Sequence, residues 1–231
     1  METEQTTVMF TLTRSSTHGA ETSRNGEDGT DDTSPPVSLV AERPRVGRDG
    51  PAVRVRTARP VDREWLPEVH RAAVRARAAE AYDDEVLAAW GRERDPDAYD
   101  TDPDDGVFVV AERSGADRRG EGDEDHETPP VVGFGELVFD GGDHLDGVPE
   151  TDAELRAVYV HPAVADRGVG SRLLCRLERT ARRRDAPGVA LHASLNAVGF
   201  YRRHGYERVR ETTREFGTGV AVDVVEMRRT L

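Results

Sequence analysis

From residue 52 onward, apolar and polar positions follow two periods, and these mark the elements. Ala52-Val53-Arg54-Val55-Arg56 alternates as a half-buried strand does. Pro60-Val61-Asp62 predicts a helix start, and Trp65, Leu66, Val69, Ala73 and Val74 recur at helical spacing, so a helix is expected over 62–82. A second, built around Val86, Leu87 and Trp90, is expected from 84 to about 92. Strands are expected at 107–111, 131–139 and 154–160. A helix over 169–184 follows, with Val169, Leu173, Leu174, Leu177 and Ala181 on one face and Arg172, Arg176, Arg179 and Arg183 on the other. A strand at 189–193, a short helix near 196–204 and two strands near 206–215 and 220–230 end the chain. The order β, α, α, β, β, β, α, β, α, β, β predicts an α/β mixture with neighbouring antiparallel strands in its first half, in one domain over 52–231.

Residues 1–51 break this pattern. They are rich in Thr, Ser, Gly, Pro, Asp and Glu, with apolar residues isolated or in short clusters such as Val8-Met9-Phe10, and are expected to be a disordered acidic and polar extension. The charged stretch 114–130 reads as an insertion in a hairpin.

Charge then narrows the functional classes. Of 231 residues, 32 are basic and 45 acidic, a net charge of -13, and every basic residue is arginine; lysine and isoleucine do not occur. The acidic excess opposes broad nucleic-acid binding, which needs a basic footprint. A GC-rich genome would replace lysine with arginine, and a cytoplasm near molar salt would favour an acidic surface, so a halophilic source is expected. No apolar run is long enough for a membrane helix, and Met1–Arg14 lacks a basic region followed by an apolar one, so a cytoplasmic protein with no membrane partner is expected. The one cysteine, Cys175, rules out an intramolecular disulfide framework. It lies between Leu174 and Leu177 on the helix and is expected to be a buried structural thiol. His161, His192 and His204 do not stand at metal-ligand spacing, so no metal is expected.

The most informative segment is Val158-Tyr159-Val160-His161-Pro162-Ala163-Val164-Ala165-Asp166-Arg167-Gly168-Val169-Gly170-Ser171, where a strand enters a glycine-containing turn that opens a helix. Free N–H groups in a helix's first turn make an anion site. A Walker A loop is excluded, because Gly-Lys-Ser/Thr is absent; the dinucleotide fingerprint needs glycine at position 173, where Leu173 stands. What remains, Gly168-x-Gly170, resembles the acetyl-coenzyme A loop of the GNAT N-acetyltransferase superfamily, written Arg/Gln-x-x-Gly-x-Gly/Ala. Asn196-Ala197-Val198-Gly199-Phe200-Tyr201 and Gly205-Tyr206 are similar to that family's C-terminal signature. Ala165 departs from the pattern, standing where the family carries Arg or Gln.

The resemblance covers about 52–231. It implies an α/β (α+β) GNAT acyl-coenzyme A N-acyltransferase fold, a mixed central sheet of about seven strands flanked by four helices, and transfer of acetyl from acetyl-coenzyme A to a primary amine of a small molecule or protein in a ternary complex. It further implies that the pantetheine arm lies between splayed strands 154–160 and 189–193, with Tyr159 and Val160 as backbone contacts. Amides of Ala165, Asp166, Arg167, Gly168, Val169, Gly170 and Ser171 would hold the pyrophosphate, and Asn196 would contact the pantetheine. Tyr201 would protonate the departing thiolate, and Glu154 would act as base, with Glu136 as its alternative. A non-catalytic acyl-coenzyme A-binding or regulatory module is the competing reading, and a homodimer is left open. Charge is unevenly spread: 161–185 holds three acids and seven arginines, whereas 83–105 holds ten acids and two arginines. An acidic protein thus keeps one basic wall, suited to a polyanionic cofactor.

Overall fold

A computed structural model describes residues 52–113, 129–139, 151–215 and 219–231. The expected extension 1–51, most of the insertion 114–130 and most of the loop 140–153 lie outside the described residues. The elements run β1 (Val53–Thr57), α1 (Leu66–Arg77), α2 (Asp84–Trp90), β2 (Gly106–Arg113), β3 (Val131–Phe139), β4 (Ala153–Val160), α3 (Val169–Arg183), β5 (Gly188–Ser194), α4 (Val198–Arg203), β6 (Glu207–Glu215) and β7 (Ala221–Thr230). The seven strands form one mixed sheet in the order β1-β2-β3-β4-β5-β7-β6. Only β4 and β5 pair in parallel. The expected fold class, seven strands with four helices, is the one observed.

The long helix expected over 62–82 is instead three pieces: a 3-10 turn at Pro60–Trp65, α1, and a second 3-10 turn at Ala78–Glu80. Pro67 has no N–H to donate to the turn before it, so an α-helical ladder cannot run through from 62; proline fits only the first turn, where it stands. Asp62 holds the preceding turn by accepting from the Arg59 amide at 2.7 Å and from both Nη atoms of Arg56.

Alternation along β2 splits the core into two layers. Val109 and Ala111 pack with Leu173, Leu174, Leu177 and Ala181 of α3; Phe108 and Val110 pack with Leu66 and Val69 of α1. Successive strand residues face opposite sides, so α3 and α1 cover opposite faces. Gly135 lets α3 come close, since a Cβ there would lie 2.8 Å from Leu177 Cδ1.

One irregularity matters for the site. Glu136 pairs with Ala157, but Leu137 pairs with Leu155, so Arg156 is the extra residue of a β-bulge. Ala153 and Leu155 face α3, whereas beyond the bulge Ala157 and Tyr159 face α1. Glu154 and Ala157, three apart, therefore share the α1 side of the sheet.

Candidate active site

The parallel pairing of β4 with β5 runs only from Ala153↔Val189 to Leu155↔Leu191. Beyond it β4 continues to Val160 and β5 to Ser194 without a ladder, leaving a cleft of about 580 Å³ between them. Past Leu155, the β5-facing backbone groups of β4 lack a strand partner and can pair with an extended ligand, as an added strand would. The segment between α1 and α2 is tied to the β5 and β7 side of the gap: the Tyr82 hydroxyl donates to the Asp223 carbonyl at 2.7 Å and accepts from the Leu195 amide at 2.9 Å.

At one end of the cleft, β4 turns through His161 and Pro162 into α3. Gly168 caps the helix with φ 73° in the left-handed region, and nothing lies within 4 Å of where its Cβ would be. Asp166, at φ 58°, adopts the same region, which an aspartate tolerates better than most side chains. The first-turn amides of α3 face this open space with the helix dipole behind them, an anion cradle built from backbone. From the far side, Arg77 at the end of α1 bonds Asp166 Oδ2 at 2.6 Å and ties the loop to α1. His204 holds the other flank. Its Nδ1 faces the Phe200 carbonyl at 2.9 Å, which in a neutral ring requires the proton there, leaving Nε2 to accept from the Ser171 hydroxyl at 2.9 Å.

At the other end the floor carries charge. Glu154, 6% exposed, has Oε2 3.5 Å from Arg156 Nε. Arg214 of β6 reaches His192 of β5 at 2.7 Å. Burial pulls Arg214 below the usual guanidinium range, against the nearby carboxylates of Glu154 and Glu226. Glu226, fully buried on β7, pairs with Arg210. Tyr201 of α4 also lines the cleft at 8% exposure, and burial, reinforced by Tyr159, holds its phenol well above the ordinary range. Trp90 donates to the Tyr159 hydroxyl at 3.0 Å, so that side chain is committed to the α1 and α2 side.

Of the residues singled out in the sequence, the cleft brings together Glu154, Tyr159, Val160, Ala165, Asp166, Gly168, Val169, Gly170, Ser171, Asn196 and Tyr201. Arg167 is exposed and not part of the lining; only its backbone belongs to the loop. Glu136 does not line the cleft either. Cys175 is exposed, contrary to the expected buried thiol: a period of 3.6 residues places it opposite the Leu173, Leu174 and Leu177 face, despite its sequence neighbours. Sequence reasoning missed Arg77, Trp90, His192 and Arg214 as parts of one site. No local motif marks them, and four elements distant in the chain supply them. Among the described residues, no group of His, Cys, Asp or Glu is arranged to hold a metal.

Glu136 carries a prediction. Burial raises its carboxyl to about 7, opposed by Arg156 and supported by Asp100 and Glu154. In the unfolded chain it ionises near 4.5, so as pH rises from 4.5 through 7 the unfolded state is favoured. The loss amounts to roughly 3 kcal/mol at full ionisation. Glu136→Gln should therefore be no more stable than wild type at pH 4.5 but more stable at pH 8. Urea midpoints at both pH values check this, and an equal change at both would refute it.

The comparisons with known proteins fall on this architecture. The model of the acetyltransferase (GNAT) family matches residues 71–206, from within α1 to Gly205-Tyr206 just after α4. A GCN5-related N-acetyltransferase from Rhodopseudomonas palustris is similar at 24% identity and TM-score 0.59, covering 78% of this chain and 96% of its own. The PaiA N-acetyltransferase of Thermoplasma acidophilum, solved in complex with coenzyme A, is 20% identical at TM-score 0.52, covering 78% and 99%. A GCN5-related N-acetyltransferase from Kribbella flavida is 19% identical at TM-score 0.51, covering 78% and 98%. No curated protein matches the sequence.

Proposed function

The chain belongs to the acetyltransferase (GNAT) family, and from that membership we propose that it transfers acetyl from acetyl-coenzyme A to a primary amine of a small molecule or protein, directly, within a ternary complex. The observation that carries this reading is the divergence of β4 from β5 after Leu155↔Leu191. It opens one cleft with a backbone anion cradle at one end and Glu154 and Tyr201 on its walls.

Each group then has a task. The amides from Ala165 to Ser171 hold the pyrophosphate, with Arg77 adding a guanidinium beside a loop that lacks Arg or Gln at 165. The free backbone edge of β4 at Tyr159 and Val160 pairs with the pantetheine, and Asn196 flanks it. An unpaired amide of the same edge is an oxyanion donor for the thioester carbonyl. The amine nitrogen attacks the carbonyl carbon; the new C–N bond forms and the C–S bond breaks. Glu154 takes the proton lost by the amine, and Tyr201 gives its phenolic proton to the thiolate; exchange with solvent restores both. Direct transfer agrees with the position of Cys175, exposed on α3 and outside the cleft lining.

The test is thiol release from acetyl-coenzyme A over a panel of primary amines, run beside thermal unfolding with and without coenzyme A. Amine-dependent release is the expected result. Stabilisation by coenzyme A without release on any amine would leave a non-catalytic binding module.

A further inference from the structure

We propose that the acceptor is an amine that also bears a carboxylate, an α-amino acid in its simplest form, and that Arg156 is the group that binds the carboxylate. The inference rests on the acetyltransferase reading and deepens it at the acceptor end of the same cleft.

The floor where β4 and β5 part is formed by Glu154, Arg156, His192 and Arg214. Arg156 and Arg214 both lie beside Glu154 there, His192 meets Arg214 through a ring nitrogen, and Glu226 also acts on Arg214 and Glu136 on Arg156. Glu226 is paired with Arg210, and Glu215 lines the cleft from an exposed position on β6. An acceptor entering here meets two guanidinium groups beside Glu154, although the chain as a whole is acidic.

Arg156 also has unused donor capacity. Its side chain is 11% exposed, its Nε makes a long 3.5 Å contact to Glu154, and its Nη1 is buried with no hydrogen-bond partner among the described residues. A buried guanidinium nitrogen without an acceptor is costly, and a carboxylate is the planar acceptor that fits it. The bulge explains why it stands there: Arg156 is the extra residue of β4, the position at which a strand re-aims a side chain. Spacing limits the acceptor further. Arg156 Nε and Glu154 Oε2 are neighbours, so an amine at Glu154 and an anion on the same guanidinium must be a few bonds apart, as in an α-amino acid.

The experiment compares L-α-amino acids with their carboxamides and with the corresponding decarboxylated amines as acceptors in the thiol-release assay, using the full chain. For the acceptors used best, the free acid should exceed its carboxamide on the order of 10–100-fold in kcat/KM. Arg156→Met should collapse that ratio toward one while coenzyme A still raises the unfolding temperature. The N-acetyl amino acid should bind the coenzyme A complex of wild type and not that of the variant. Release that does not favour the free acid, or an equal loss on acid and carboxamide in Arg156→Met, overturns the inference and leaves acetyl transfer standing. No release on any amine overturns the acetyltransferase reading itself.

Discussion

Tyr201→Phe is expected to lower kcat on the order of 10–100-fold while leaving KM for acetyl-coenzyme A nearly unchanged. The substitution removes one oxygen. Tyr201 is 8% exposed and packs at 5.1 Å against Phe200 and 5.6 Å against Tyr206, contacts that a phenylalanine ring keeps. Any loss of rate is therefore assigned to the hydroxyl and not to a collapsed helix α4. Its protonation state suits an acid. Burial favours the neutral phenol and moves its ionisation above the ordinary 10, so it keeps its proton across the working range, while the departing thiolate is a stronger base than water. Two consequences are measurable: wild-type kcat should not fall through pH 10 on account of this group, and the variant's deficit should be the same at pH 7 and pH 9. Steady-state thiol appearance at several pH values checks both. A variant with wild-type kcat would remove Tyr201 from the mechanism.

The parts of this site that could be read in the sequence are those made by one continuous segment. Gly168-x-Gly170 works because a strand, a turn and a helix start follow one another directly, and Asn196 to Tyr206 because a strand end, a helix and its glycine stop do the same. Both fix backbone conformations, Gly168 at φ 73° and Gly205 at φ 84°, that few other residues adopt. The acceptor floor could not be read, since Arg156, His192 and Arg214 come from β4, β5 and β6 and meet only through sheet order, β7 being inserted between β5 and β6. Nor could the bulge at Arg156: strict alternation along 154–160 would set Glu154 and Ala157 on opposite faces, and the extra residue puts them on the same one. Cys175 shows the same limit at short range, where adjacency to Leu174 suggested burial and helical period decided otherwise.

Replacing Glu154 by Gln should produce the larger kinetic loss, on the order of 100–1000-fold in kcat/KM at pH 7 for a strongly basic amine. At that pH such an amine is protonated and cannot attack, so the rate depends on a group that removes its proton inside the complex. Glu154 lines the cleft and Glu136 does not. The deficit should shrink as pH rises toward the amine's own ionisation, and also for a weakly basic acceptor already neutral at pH 7, which needs no base. A structural defect would not discriminate between acceptors in this way. Glutamine preserves volume and can still accept from Arg156 Nε, so the fold should survive, and thermal stabilisation by coenzyme A reports that the cradle at Gly168 is intact. Glu136→Gln provides the contrast: off the cleft lining, it should change the pH dependence of stability more than it changes turnover. If Glu154→Gln loses the same factor with weakly and strongly basic amines at every pH, the carboxylate positions Arg156 and is not the base.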